Sequence, residues 1–270
     1  MERDEISGAS RFVISRWQAG KLKPTDDDLI EEVPIAFEYN GISHAVMLAS
    51  PLNLEEFALG FSLSEGICPS ATDFYDVEVV PSAAGITLQI QISNEAFMKL
   101  KERRRNLTGR TGCGLCGTES LDQVLRPLPQ CEPTSELSTS GVRRALSELK
   151  AHQPLNRLTG AAHAAAWCSF SGELLTVFED VGRHNALDKL IGDIATKQLN
   201  MHTGFVLMTS RASIELVQKA ATVGISALVA ISAPTALAVR TARACGMTLL
   251  AFARGDEFVA YAHAENIRLD

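Results

Sequence analysis

The order of hydrophobic and polar positions predicts a small α+β unit in the first half of the chain. Two strand-like runs flank Asn40-Gly41, a residue pair that favours a tight hairpin. Residues 54–63 then carry apolar side chains near helical spacing, with Asn53 as a candidate helix cap. Two alternating strands follow, as in a sheet buried on one face. The order β-β-α-β-β predicts a small α+β domain over residues 31–110.

The second half predicts a different architecture. Continuous apolar runs alternate with helical stretches, which is typical of a mainly parallel sheet covered on both faces. We therefore predict an α/β domain over residues 138–265. Residues 1–30 are polar and predict a flexible, frayed terminus. The glycine- and proline-containing residues 111–137 predict a loop followed by a linker.

Polar residues cluster where the strands of the second half end. The stretches "EDVGRHN", "TSRAS", "ISAPT" and "FARGDE" each follow an apolar run, so they meet at one edge of the predicted sheet. Helix N-termini there offer free N–H groups, and Arg183, Arg211 and Arg254 add positive charge. The edge therefore predicts an anion site, most naturally for phosphates. His184 is compatible with three roles, as a general base, as a helix cap or as a hydrogen-bonded histidine in the core. Ser210 is a candidate helix cap.

Composition and charge narrow the class of protein. A net charge of −7 argues against a general nucleic-acid binder. The first residues lack the apolar core of a signal peptide. Residues 220–239 contain no charge, but glycine, serine and proline interrupt them, so we interpret them as helix end, strand and turn. The expected protein is cytoplasmic, without a membrane or nucleic-acid partner.

Two of the six cysteines stand out. Cys113 and Cys116 lie in the glycine-rich stretch "RTGCGLCG", next to a basic run that favours thiolates. The spacing alone is compatible with a zinc ligand pair, a redox pair or a carrier of persulfide sulfur. Cys68, Cys168 and Cys245 have apolar neighbours and predict small core residues. The remaining cysteine, at position 131, is predicted to lie in the linker.

Several of these stretches together resemble one family. They are "NLEEFALGFSLSEGI", "TGRTGCGLCGTESL", "FEDVGRHNALDKLIG", "SRASIELVQKAATVGISALVAISAPTALAV" and "FARGDEF". With them the sequence resembles the FdhD/NarQ family, the formate dehydrogenase accessory sulfurtransferases. The resemblance implies a C-terminal three-layer domain like that of cytidine deaminases, beside a smaller N-terminal α+β domain. Ala186 and "SRAS" stand where such deaminases carry a catalytic glutamate and cysteine ligands, so the resemblance implies no intrinsic metal.

The resemblance also implies a reaction. A cysteine desulfurase would load Cys113 with persulfide sulfur, with Cys116 as a helper. The sulfur would pass to the molybdenum (or tungsten) bis-guanine-dinucleotide cofactor, bound as substrate, for the formate dehydrogenase apoenzyme; a GDP-like ligand could occupy its place. The resemblance also implies that the protein forms a homodimer. The alternative from the residues is a binding chaperone without chemistry. The resemblance and the loops at the sheet edge together predict a set of cofactor-binding residues. They are Arg183, His184, Ser210, Arg211, Phe252, Ala253, Arg254, Gly255, Asp256 and Glu257.

Overall fold

A computed structural model describes residues 8–108, 127–133 and 136–270. The predicted thiol pair, Cys113 and Cys116, lies outside these residues. The chain begins with a hairpin of two antiparallel strands, β1 (Ala9–Gln18) and β2 (Lys21–Ile30). The frayed terminus predicted for residues 1–30 is therefore wrong for this part. Cross-strand ion pairs such as Arg11–Asp28, 3.1 Å apart, help to align the hairpin.

The small α+β unit has the predicted order of elements. A four-stranded sheet with strand order β4-β3-β6-β5 packs one face on helix α1. Asn53 occupies the N-cap position of that helix but makes no side-chain capping bond, because its backbone is left-handed. The elements of the unit are β3 (Val33–Tyr39), β4 (Ile42–Ala49), α1 (Leu54–Ser64), β5 (Phe74–Ser82), β6 (Gly85–Ile92) and α2 (Asn94–Thr108).

A six-stranded sheet dominates the second half, with strand order β13-β12-β11-β10-β8-β9. Strands β9, β10, β11 and β12 run in one direction, whereas β8 and β13 run in the other. The prediction of a mainly parallel sheet is thus correct for four of its strands. The elements are β7 (Leu137–Ser138), α3 (Thr139–Leu149), α4 (Pro154–Thr159), β8 (His163–Ser169), β9 (Leu174–Asp180), α5 (Arg183–Thr196), β10 (Gly204–Met208), α6 (Ile214–Thr222), β11 (Ala227–Ala230), α7 (Ala236–Cys245), β12 (Thr248–Arg254), β13 (Glu257–Ala262) and β14 (Ile267–Arg268).

Both faces of the large sheet are covered, as predicted. Alternate residues along its strands face two separate clusters: Phe205 and Leu207 of β10 pack with α3, whereas Val206 and Met208 pack with α5 and α6. The second cluster continues through α1 into the small sheet. The two halves therefore share one hydrophobic core.

Helices α1 and α5 approach so closely that glycine is needed at the crossing. A Cβ atom on Gly60 would lie 1.7 Å from the carbonyl oxygen of Asp188. A Cβ atom on Gly192 would lie 1.9 Å from the carbonyl oxygen of Glu56. This contact fixes the position of α5, whose first residues belong to the predicted site. In the part of the chain that the structure describes, no helix has the length and apolarity needed to cross a bilayer.

Candidate functional site

The predicted edge of the sheet exists, and its loops are joined to one another. Because β9, β10, β11 and β12 run in one direction, the four polar stretches follow their carboxyl ends on one edge. The amide of Ala212 donates to the carbonyl of Ala233 (3.2 Å), and Thr235 donates back to Ala212 (2.9 Å). The amide of Phe252 donates to Ser232 (3.2 Å). These bonds hold the loops after β10, β11 and β12 in a fixed arrangement.

A buried ion pair holds the start of α5 against this edge. The Nζ atom of Lys189 donates to Asp180 (2.6 Å) and to the carbonyl of Ser50 (3.0 Å). The other Asp180 oxygen accepts from Gly182 (2.7 Å) and from Asn185 (2.9 Å). The Lys189 and Asp180 side chains are both fully buried. The charge of Lys189 is therefore satisfied inside the protein and not by solvent.

A second buried network joins α1, α5 and α6. Lys219 of α6 donates to Asp188 (2.9 Å), to Glu65 (2.7 Å) and to Ser64 (3.1 Å). Asp188 is fully buried, and Ser64 also donates to it. Burial raises the pKa of Asp188 to about 6, although Lys219 opposes the shift. The network fixes the end of α1 beside the helices that begin at the edge.

His184 lies at the meeting point of two helix starts. Its Nε2 atom is 3.4 Å from Ser213 Oγ and 3.9 Å from a carboxylate oxygen of Glu215, both at the start of α6. Burial, reinforced by the positive charge of Arg183, lowers the pKa of His184 to about 4. A neutral imidazole is therefore expected at neutral pH, and it is able to accept a hydrogen bond from a ligand.

This pKa predicts how stability depends on pH. The unfolded chain takes up a proton on His184 near pH 6.5, whereas the folded protein does so only near pH 4. This residue therefore contributes stability above pH 6.5 that is lost as the pH falls towards 4. An NMR titration should show the His184 ring titrating near pH 4, and Arg183→Gln should raise that value. A midpoint near 6.5 in the native protein would contradict the burial seen here.

The arginines predicted at the edge differ in their surroundings. The Nε atom of Arg183 is buried and has no hydrogen-bond partner among the described residues. Arg254 Nε donates to the carbonyl of Ile231 at the end of β11 (3.1 Å). Arg211 is exposed, whereas Ser210 is buried and its hydroxyl donates to the Arg211 carbonyl (3.1 Å). A buried donor without a partner is unusual, so Arg183 is the arginine best placed to receive an acceptor group.

The stretch 252–257 forms the end of β12 and its turn into β13. Phe252 has a φ of 51°, a region that bulky residues rarely adopt, and 43% of its surface is exposed. Gly255, also left-handed, forms the turn, and the Ala253 side chain points into the core. A cavity of about 510 Å³ lies beside this turn. It is lined by Thr139, Arg143, Phe252, Asp256, Glu257, Phe258 and Val259.

The expected cofactor-binding residues thus form two groups on one edge. Arg183 and His184 lie at the start of α5, next to α6, which follows β10. Phe252, Asp256 and Glu257 line the cavity at the end of β12. In the sheet order β12-β11-β10-β8-β9, the strands that lead to the two groups are four positions apart, and the cavity borders α3, on the face of the sheet opposite α5 and α6. An elongated ligand is needed to contact both groups.

Arg143 is a site residue that the sequence analysis missed. It belongs to α3, and its Nε atom donates to the Asp256 carboxylate at 2.8 Å. The sequence does contain a signal for the start of this helix, because Ser138 is a favoured N-cap residue and accepts from the amide of Gly141 (3.0 Å). Val142 and Ala145, three positions apart, lie on one buried face of the helix. Arg143 lies within the predicted α/β domain, in a stretch for which no helix was predicted. Across the described residues, no three His, Cys, Asp or Glu side chains are arranged to hold a metal ion.

The chain resembles known proteins over most of its length. A protein from Cupriavidus necator, named Sulfur carrier protein FdhD, is 52% identical over 259 residues, covering 96% of this chain and 90% of that protein. A protein of the same name from Variovorax paradoxus is 53% identical over 232 residues, covering 86% of this chain and 84% of that protein.

A solved structure shares the fold. The crystal structure of a candidate formate dehydrogenase accessory protein from Desulfotalea psychrophila superposes with a TM-score of 0.75 at 21% identity, covering 97% of this chain and all of that one. A family model described as the FdhD/NarQ family matches residues 30–268. Because this match and the two relatives span most of the sequence, the chain belongs to the FdhD/NarQ family.

Proposed function

We propose that this protein is a sulfurtransferase that carries sulfur for formate dehydrogenase. Cys113 takes persulfide sulfur from a cysteine desulfurase and delivers it to the molybdenum or tungsten bis-guanine-dinucleotide cofactor, bound as substrate. Family membership and relatives named as sulfur carriers support this function.

The observation that carries the proposal is the burial of every described cysteine. Cys68, Cys131, Cys168 and Cys245 are all at least 93% buried. Burial raises the pKa of Cys68 to about 12 and also raises the pKa of Cys168, so these two thiols are poor nucleophiles at neutral pH. A carrier must meet a donor protein, and buried thiols do not. Of the six cysteines, Cys113 and Cys116 remain.

The reaction has two transfers. The Cys113 thiolate attacks the terminal sulfur of the desulfurase persulfide, the S–S bond of the donor breaks, and the donor leaves as a thiolate. The Cys113 persulfide then meets the bound cofactor. Its own S–S bond breaks, the terminal sulfur accepts two electrons from the reduced metal as it bonds to it, and Cys113 returns as a thiolate. Basic residues in the 101–110 stretch favour the thiolate that the first step requires.

The edge of the large sheet is the proposed cofactor site. A phosphate oxygen would satisfy the buried Arg183 Nε, and the N-termini of α5 and α6 favour negative charge. The exposed Phe252 ring offers a surface on which a guanine base can stack. Asp256, which is unfavourable beside a phosphate, is already neutralised by Arg143. The exposed Glu257 carboxylate would accept hydrogen bonds from the donor edge of guanine.

Persulfide mapping tests this function. The purified protein is incubated with a cysteine desulfurase and cysteine, digested without reductant and analysed by mass spectrometry. We expect the peptide that contains Cys113 to gain one sulfur, about 32 Da, and to lose it again with dithiothreitol. Sulfur found only on another peptide, or on none, would refute the proposal.

The proposal includes a cytidine-deaminase-like arrangement of the C-terminal domain. In the family resemblance, the starts of α5 and α6 correspond to the two places that supply zinc ligands in deaminases. These two helix starts contact each other here through His184 and Ser213. Helices on both faces of the six-stranded sheet are the three layers that such an arrangement requires.

The proposal also includes a homodimer formed through the β1–β2 hairpin. Apolar side chains on this hairpin are exposed, including Trp17 (69%) and Leu22 (68%), and a lone two-stranded hairpin is marginally stable in water. Trp17 and Leu22 are cross-strand partners and lie on one face of the hairpin. Two hairpins related by a two-fold axis would bury these side chains against each other in a self-complementary interface.

The dimer has a direct test in solution mass. Light scattering should give twice the 29.1 kDa of one chain. Trp17→Ser combined with Leu22→Ser should give the monomer. The control pair is Val46→Ser with Leu48→Ser, which removes exposed apolar side chains of β4 and should leave the dimer intact. A native monomer, or a dimer that withstands the hairpin substitutions, would refute this interface.

A further inference from the structure

Cys131 and Cys245 are two buried cysteines that are far apart in the sequence and are joined by a backbone hydrogen bond. Cys131 follows the described residues 127–130, and Cys245 ends α7. The two side chains are only 7% and 2% exposed, and their thiols donate to backbone carbonyls, Cys131 to Ile225 (3.6 Å) and Cys245 to Ala242 (3.6 Å). The amide of Cys131 donates to the carbonyl of Cys245 (2.8 Å), and the Gln130 side chain donates to Ala244 (3.1 Å). The linker predicted at Cys131 is thus a segment bound to α7.

The backbone geometry suits a disulfide. Residues joined by a direct backbone hydrogen bond have Cα atoms roughly 5 Å apart. A disulfide needs a Cα separation of about 4.4–6.8 Å. The backbones of Cys131 and Cys245 are therefore close enough for a disulfide to join the two side chains.

The pair is also within reach of a small reactant. A cavity of about 340 Å³ borders Cys245, between α6, α7 and residues 127–130. Arg240 lines this cavity and attracts anionic thiol compounds such as glutathione. The neighbouring Cys131 thiol lowers the pKa of Cys245, which favours the attacking thiolate on Cys245.

We propose that Cys131 and Cys245 form a dithiol–disulfide switch that reacts with low-molecular-weight disulfides. The oxidised form ties residues 127–131 covalently to the end of α7. These residues directly follow the stretch 109–126, which contains Cys113 and Cys116. The effect on delivery rests on the proposed function. The disulfide fixes the chain that follows the sulfur-carrying cysteine and thereby lowers sulfur delivery when cellular disulfide levels rise.

The chemistry balances with glutathione disulfide as the oxidant. The Cys245 thiolate attacks one sulfur of glutathione disulfide and releases one glutathione thiolate. Cys131 loses its proton and attacks the Cys245 sulfur of the mixed disulfide, which releases the second glutathione. The protein dithiol loses two electrons and two protons, and glutathione disulfide becomes two molecules of glutathione.

Disulfide mapping in the full chain tests the switch itself. The background is Cys113→Ser with Cys116→Ser, so that the carrier pair does not react. After incubation with glutathione disulfide, we expect a linked peptide pair that contains Cys131 and Cys245, lighter by two hydrogen atoms than the separate peptides. The melting temperature should rise by about 5 °C or more, because the link closes a long loop. Adding Cys245→Ser should abolish both effects.

The switch would be refuted if both thiols stayed reduced in excess glutathione disulfide, or if each carried a separate glutathione. Equal heat stabilisation in the Cys245→Ser variant would also contradict it, since the rise would then come from elsewhere.

A transfer assay tests the effect on delivery. The native sequence is oxidised, then treated with limited phosphine until peptide mapping shows Cys113 and Cys116 free and the Cys131–Cys245 link intact. Sulfur delivery from the desulfurase-loaded protein should be about 5-fold or more lower than in the reduced protein, and Cys131→Ser should deliver equally before and after the treatment. Unchanged delivery with the link present would refute the regulatory role. Absence of sulfur on Cys113 in the reduced protein would instead refute the proposed function and leave the mapped disulfide standing.

Discussion

Replacing Cys113 with serine should abolish activation of formate dehydrogenase. A serine hydroxyl does not attack a persulfide sulfur at neutral pH and does not hold a transferable sulfur, so both transfers are lost. The measurement is formate dehydrogenase activity in cells whose own accessory gene is deleted and replaced by the variant. We expect activity at the level of the deletion strain.

Matched thiol deletions make this result specific. Cys168→Ala removes a fully buried thiol from the core of the large sheet and should leave activation at the native level. Cys116→Ser tests whether Cys116 is a helper or a second obligatory carrier. Partial activation of formate dehydrogenase would indicate a helper, and complete loss would indicate that sulfur passes through both thiols. If Cys113→Ser retained native activation, the protein would act as a binding chaperone without chemistry.

The sequence predicted elements whose signals are local. Asn40-Gly41 marked the hairpin between β3 and β4, and alternating strands marked β5 and β6. Strand β8 was missed because its residues, "HAAAWCS", are mostly poor strand formers. It becomes a strand because it lies between β9 and β10, buried on both faces. That position depends on contacts far apart in the sequence.

The buried charged residues show the same limit of sequence-based prediction, which does not show contacts between distant parts of the chain. Asp188 and Lys189 are consecutive charged residues on a helix, a pattern typical of a solvent-exposed face. Their partners are Lys219 and Asp180, in other elements, so the pairing is visible only in three dimensions. The edge loops were predictable because strand direction follows from the alternation of strands and helices. The neutralisation of Asp256 by Arg143 was not, since α3 lay in an unassigned stretch.

Lys189→Met should be among the most destabilising single substitutions in the chain. It removes the cation that neutralises the fully buried Asp180 carboxylate, 2.6 Å away. An unpaired buried charge costs about 3–5 kcal/mol of unfolding free energy. Urea unfolding monitored by circular dichroism measures this loss. Because Asp180 also receives the amide of Gly182 and the side chain of Asn185, the start of α5 should loosen, and binding of a guanine nucleotide should weaken with it.

Two comparisons isolate the buried charge as the cause. Asp180→Asn in the Lys189→Met background should recover part of the lost stability, because a neutral amide replaces the unpaired carboxylate and still accepts hydrogen bonds. Lys99→Met removes the same side chain from an exposed pair with Glu95, where such pairs contribute only about 0.5 kcal/mol. A loss below about 1 kcal/mol for Lys189→Met, or a double variant no more stable than the single one, would mean that the pair does not hold α5 at the edge of the sheet.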